Sequence, residues 1–392
     1  MASSASLTQE ICNAWMAKNK EFNFPSPSAN NSSHEHENEY EDRIKILRQK
    51  WDTALKSIPI HLHVRDNSVK EEEEEDMEEY SETNSDSWFD KIVAMHSEKF
   101  RHYHTLCHLE EMFGFVDLVL SYEVNQLISE FNSDHKHDHG DNHDRGHEDV
   151  IRKSHQKAEI NEGGGNAMIG IGIGIGISTI SEWTAVIYFA IFFHDIVYDA
   201  KSSTNEEDSA QLFQSFVTEL LNSSEVIDPW WGILKVHQFI MATKTHTDDI
   251  STEHEQGQGQ RQERSIKTKQ LEKIVLRTFL DADMAVLGKN QQAYDHYASL
   301  IRLEYIHVPK DVYCEKRAEI LKSFVGSVNS NNVDNKDMDG EEDEVANKRR
   351  EANHNRSKTI YLTQSMRDAL EQRAIANLQR EIESLENGII PT

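Results

Sequence analysis

An all-α fold is predicted by three features of the sequence. Apolar residues recur at spacings of three and four in every stretch able to build a core. One run, WTAVIYFAIFFHD (183–195), is apolar on all sides, as a helix inside a bundle would be. No period-2 alternation bounded by turn pairs appears. In order along the chain, Ile44, Leu47, Trp51 and Leu55 mark a first helix, and Leu106, Leu109, Met112, Phe113 and Val116 a second. The all-apolar run follows, then Leu271, Ile274, Val275 and Thr278-Phe279. Last comes MRDALEQRAIANLQREIESLENG (366–388), an amphipathic helix with a glycine stop.

The core is diluted. Of 392 residues only 37% are hydrophobic, against roughly 45–50% in an average globular chain. The diluting segments read as disordered, solvated stretches. They are the N-terminal 1–39 and four insertions: acidic 62–86 (EEEEEDMEEY), His-rich 132–166, Gly/Gln-rich 250–269 and Asn-rich 328–358. The expected organisation is therefore one helical domain over 40–388, interrupted four times. With 41 basic and 69 acidic residues the net charge is −28, which argues against a nucleic-acid-coating surface. Three scattered cysteines (Cys12, Cys107, Cys314) make neither a disulfide framework nor a zinc knuckle. With no basic-then-apolar leader at the N-terminus, a reducing, cytoplasmic setting is expected. Residues 167–193 carry a single charge, Glu182, and are long enough to span a bilayer. Polar residues interrupt the middle, however, and His194-Asp195 follows without a basic flank. The stretch is expected to be a Gly-Ile insert feeding a buried helix, not a membrane span.

Three separated segments hold candidate metal ligands: His104 and His108 in RHYHTLCH, His194-Asp195 at the end of the apolar run, and Asp281-Ala282-Asp283 after IVLRTFL. If 104–108 is helical, His104 and His108 share a face. Imidazoles with carboxylates suit a divalent ion with open positions (Mn, Mg, Fe, Co, Ni or Zn), and no thiolate cage is present. Taken singly each is weak, since a DxD after a helix also serves as a cap. Together they place costly charge at the ends of apolar helices.

The order H…HD…D, carried by FRHYHTLCHL (100–109), FFHDIVYD (192–199), NEEDSA (205–210), ATKTH (242–246), FLDADMAVLG (279–288), IRLEYIHVP (301–309) and NLQREI (377–382), resembles the HD superfamily of metal-dependent phosphohydrolases. The resemblance is closest to a family of small predicted HD phosphohydrolases, and it covers the core but none of the insertions. It implies a helical HD fold with His108, His194, Asp195 and Asp283 on one metal. YHTLCH is similar to the YHxxxH of cyclic-nucleotide phosphodiesterases, which implies His104 as general acid.

The implied activity is hydrolysis of a small phosphate ester or nucleotide by attack of metal-bound water on phosphorus. The rival is a non-catalytic metal-containing sensor of a phosphorylated ligand. Arg101, Lys244 and Arg317 are candidates for the cation beside the phosphate oxygens. Asp281 could assist the water or orient a histidine, or simply cap a helix. His246 could join a second metal, touch substrate or sit on the surface. Asp199 could lend outer-shell help. Glu206, with Glu207, reads more simply as a helix first turn, and Arg302, Glu304 and Tyr305 as a buried ion pair. His135, His137, His139, His143 and His147 offer a looser metal store, or only a polar loop.

Overall fold

The computed structural model describes residues 33–58, 85–134, 177–222, 230–247, 260–325 and 359–390. Among them every regular element is helical. The helices are α1 (Ser33–Lys56), α2 (residues 85–96), α3 (Leu106–Asp134), α4 (Ile177–Phe193), α5 (Asn205–Asn222), α6 (Gly232–Thr243), α7 (Gln260–Met284), α8 (Gln291–Glu304) and α9 (Lys310–Val325). The last, α10, opens at Gln364, makes one π turn over Arg367–Glu371 and runs on to Glu386.

The apolar run is the axis of the bundle. From Ala185 to Phe193 every side chain of α4 is buried, and α1, α3, α5, α6 and α7 all pack on it. Each large apolar side chain so withdrawn from water contributes about 1.5–3 kcal/mol. Trp51 of α1 anchors α4 with edge-on contacts to Phe189 and Phe192 at 5.5 and 5.4 Å. The buried apolar cluster continues from Leu47 to Leu385. No helix of the described residues is long and apolar enough to cross a membrane.

Helix ends follow local chemistry. Asn290 caps α8 by accepting from the Ala293 amide, and Glu206, Glu207 and Asp208 occupy the positive first turn of α5. At the end of α10, Gly388 adopts φ 68°. Its amide and that of Ile389 then reach the Leu385 and Ser384 carbonyls, closing the helix. Gly288 serves a different need: a Cβ there would lie 2.6 Å from Cβ of Leu370, so only glycine lets α10 approach the turn after α7.

Four segment boundaries need correction. Helix α1 begins at Ser33, inside the expected N-terminal loose segment. Ser85 and Asp86 are helical, α3 runs on to Asp134, and α7 begins at Gln260. Polar composition blurs a helix end that is later held by tertiary packing. The remainder of the four insertions, the Gly-Ile stretch before Ile177 and the five histidines from His135 to His147 lie outside the described residues.

Candidate metal centre

Four side chains from three distant segments converge. His108, His194, Asp195 and Asp283 bring one ligand atom each to within 4.8 Å of one another. His108 stands in the first turns of α3, His194-Asp195 just past the end of α4, and Asp283 in the last turn of α7. Two helix C-termini thus meet at the cluster, and their partial negative charge favours a cation. His108 Nε2 lies 3.2 Å and His194 Nε2 3.7 Å from the same oxygen, Oδ1 of Asp283. His194 Nε2 is 3.0 Å from Asp195 Oδ2.

The donor set fits a divalent ion. His194 gives Nδ1 to the Ile191 carbonyl at 2.9 Å, which leaves Nε2 as the ligand atom. That nitrogen is fully buried and makes no hydrogen bond, although the Asp195 carboxylate is close enough for an ion pair. An orphan nitrogen crowded by two carboxylates is costly alone and satisfied by a shared cation. Ligands about 2.0–2.2 Å from one ion lie no more than roughly 4.4 Å apart, so a small inward shift closes the shell. Burial pushes both carboxyls upward, yet the surrounding histidines more than offset it, holding Asp195 and Asp283 below the usual carboxylate range. Burial lowers His194, and Asp195 outweighs it to give about 9.

His104 sits beside the cluster, with Nε2 3.9 Å from Asp195 Oδ2. It is not on the helix of His108. Residues 101–105 form a bend before α3, so a shared helix face is not what pairs the two rings, whose centroids lie 6.0 Å apart. The bend is held by Glu304, which sequence reasoning left as a mere ion pair. Its Oε1 accepts from the amides of His102, Tyr103 and His104 at 2.8, 2.8 and 3.1 Å. Its Oε2 takes His104 Nδ1 at 2.7 Å and the Tyr198 hydroxyl at 2.8 Å. Burial would raise this carboxyl, but His104 and the amides hold it at about 2. In return, the lowering of His104 by burial is overcome by Glu304 and Asp195, so its pKa is raised.

His246 also reaches the cluster, with Nε2 2.9 Å from Asp283 Oδ2. Among the described residues it is the one non-glycine with positive φ, at 48°. That left-handed backbone costs on the order of 1–3 kcal/mol and persists where surrounding contacts enforce it.

The other candidates have different partners. Arg101 is buried, and its guanidinium donates to the carbonyls of Asp195 (2.6 Å), Ile196 (2.7 Å) and His104 (3.3 Å). It shapes the turn that presents the HD pair, with its side chain wholly buried. Lys244 is exposed and bound to Glu207 and the Ser203 carbonyl, with Glu206 at 4.0 Å. Glu206 is therefore a helix-start residue facing a lysine, outside the metal cluster. Asp281 is the cap of the sequence's alternatives: it accepts from the Leu362 and Thr363 amides and the Thr363 hydroxyl at 2.6–2.8 Å. Its place two residues before Asp283 turns it to the opposite side of α7, away from the water it was expected to assist. Asp199 is exposed and accepts from the Lys201 amide at 2.9 Å, closing a turn instead of supporting a ligand. Arg317 pairs with Glu381 at 3.0 Å.

The chain matches no protein-family profile, no curated protein and no solved structure.

Proposed function

We propose that this protein is a metal-dependent phosphohydrolase of the HD type, acting on a small phosphate ester or nucleotide. The observation that carries the reading is the four-ligand cluster with the Glu304-bound His104 beside it. His108, His194, Asp195 and Asp283 would hold a divalent ion, which would supply Lewis acidity and bring the pKa of bound water from 15.7 toward about 7. His104, kept protonated by Glu304, donates its Nε2 proton to the leaving oxygen. Glu304 fixes the ring through Nδ1, and Tyr198 fills the last lone pair of that carboxylate. Tyr103 lies edge-on to His104 at 5.0 Å and against His108 at 4.8 Å, shielding the pair from water. His246 fixes Asp283 so that one oxygen is left for the ion, and Arg101 locks the turn carrying Asp195.

A second reading, a sensor that binds a phosphorylated ligand without turning it over, is favoured by one observation. Two of the three cations expected beside the phosphate, Arg101 and Lys244, are engaged by protein oxygens. Metal content and phosphate release on one purified sample separate the two. Wild type and Asp195→Ala are compared with Mn or Mg and a panel of phosphate esters. Bound metal with release that vanishes in the variant supports the enzyme. Bound metal with no release from any ester moves the reading to the sensor, and no metal at all overturns both.

A further inference from the structure

A line of packed aromatic rings runs from the metal cluster to an arginine. The Tyr103 ring lies 4.8 Å from that of His108 and 4.7 Å, edge-on, from that of Tyr297. Beyond Tyr297 sits Arg317, whose Nη2 is 3.4 Å from the Tyr297 hydroxyl and whose Cζ is 5.7 Å from its ring. Glu381 aims the arginine. Its Oε1 accepts from Arg317 Nε at 3.0 Å, and its Oε2 is taken by the Tyr294 hydroxyl. Both oxygens of this fully buried carboxylate are thus spent on orientation. Arg317 itself keeps a side-chain exposure of 13%, and among the described residues its Nη1 makes no hydrogen bond.

We propose that Arg317 Nη1, with the Tyr297 hydroxyl, is a second recognition pole of the same site, taking a terminal anionic group carried at the far end of the phosphorylated substrate. This rests on the phosphoester reading above and narrows it to esters with two anionic ends. A guanidinium whose Nε and Nη2 are engaged still offers Nη1 as a charge-assisted donor to a carboxylate or phosphate oxygen. Because Glu381 balances the charge of Arg317, the pole discriminates by donor geometry more than by net charge.

The test uses Mn-loaded full-length protein and two matched series of non-hydrolysable probes, measured by calorimetry. One series is alkylphosphonates, the other the ω-carboxyalkylphosphonates of the same increasing chain lengths. The expected result is a carboxylate gain of about tenfold to hundredfold at one chain length, the scale of a charge-assisted hydrogen bond. In an Arg317→Gln/Glu381→Gln double variant, which leaves no buried charge unpaired, that gain should fall to about twofold or less, with alkylphosphonate affinity kept. Tyr297→Phe removes only a hydroxyl, so it should keep the fold and lose part of the gain. Equal binding of the two series at every length overturns the second pole and leaves the phosphoester reading standing. A gain that survives in both variants overturns the assignment to Arg317 and Tyr297. Binding of neither series to the Mn-loaded protein overturns the phosphoester reading and this inference together.

Discussion

Glu304 and His104 are 200 residues apart in sequence and 2.7 Å apart in space, joined through Oε2 and Nδ1. The same carboxylate holds three successive amides of the bend that carries His104. It therefore sets both where the imidazole stands and which nitrogen is turned toward Asp195.

Glu304→Gln keeps an acceptor for the amides but removes the charge that raises His104. Turnover should fall about 10- to 100-fold, the scale for losing a partner behind a functional histidine, while metal content stays at wild type. His104 must be protonated to act, so activity declines as pH rises through its pKa. Without the Glu304 charge that pKa drops, and the alkaline limb of the kcat profile should move to lower pH. An unmoved limb would show that Glu304 is only a structural clamp.

His104→Ala should keep the metal and slow turnover by about 10²–10⁴-fold, the range for a missing general acid. Metal analysis alongside single-turnover kinetics checks it. Loss of metal instead would make His104 a ligand.

Asp195→Ala should abolish tight metal binding with helix content near wild type by circular dichroism, because its backbone carbonyl, held by Arg101, is unchanged. An Asp195→Ala protein that binds metal with wild-type affinity would remove this residue from the centre.

At His246, alanine and glycine separate two effects. Both variants lose the bond to Asp283 and should weaken metal affinity about 10- to 100-fold. Glycine adopts φ 48° without strain, so His246→Gly should match or exceed the chelated stability of His246→Ala, by about 0.5–1 kcal/mol. Equal metal affinity in wild type and both variants would refute the role given to the Asp283 contact.

His96 gives a pH signature of stability. Burial, with Arg101 nearby, lowers its pKa from 6.5 to about 3. The folded state keeps it neutral while the unfolded chain takes up a proton below about 6.5, so its contribution is intact at neutral pH and is lost as pH falls toward 3. The slope is at most about 1.4 kcal/mol per pH unit. In urea titrations with chelator present, His96→Phe should lose less stability between pH 7 and pH 5 than wild type. Parallel curves would mean the ring takes up a proton while folded.

Much of this was legible in the residues. The helical periods of Leu47–Leu55 and Leu106–Val116, the all-round burial of 185–193 and the glycine stop at Gly388 are local facts of side-chain spacing. Residue types alone offered three candidate segments for a metal, and the resemblance of the order H…HD…D to the HD superfamily singled out the four residues that the fold brings together. What the spacing left open were charged residues used as structural staples. Arg101, Asp281 and Glu304 each bind backbone groups of another segment, and a charged side chain looks the same in sequence whether it meets a ligand or an amide. The bend at 101–105 was unreadable for a related reason, since its hydrogen bonds go to a carboxylate two hundred residues away.

By itself, then, the sequence determined the helical class, the central helix and the chemistry of the ligand set, since these depend on side-chain type and local period. Only the tertiary structure decided which carboxylates join the candidate metal cluster and which cap a turn, that His104 answers to Glu304, and that Arg317 stands two tyrosines from the cluster. Those are matters of direction, fixed when helices pack and every buried charge must find its partner.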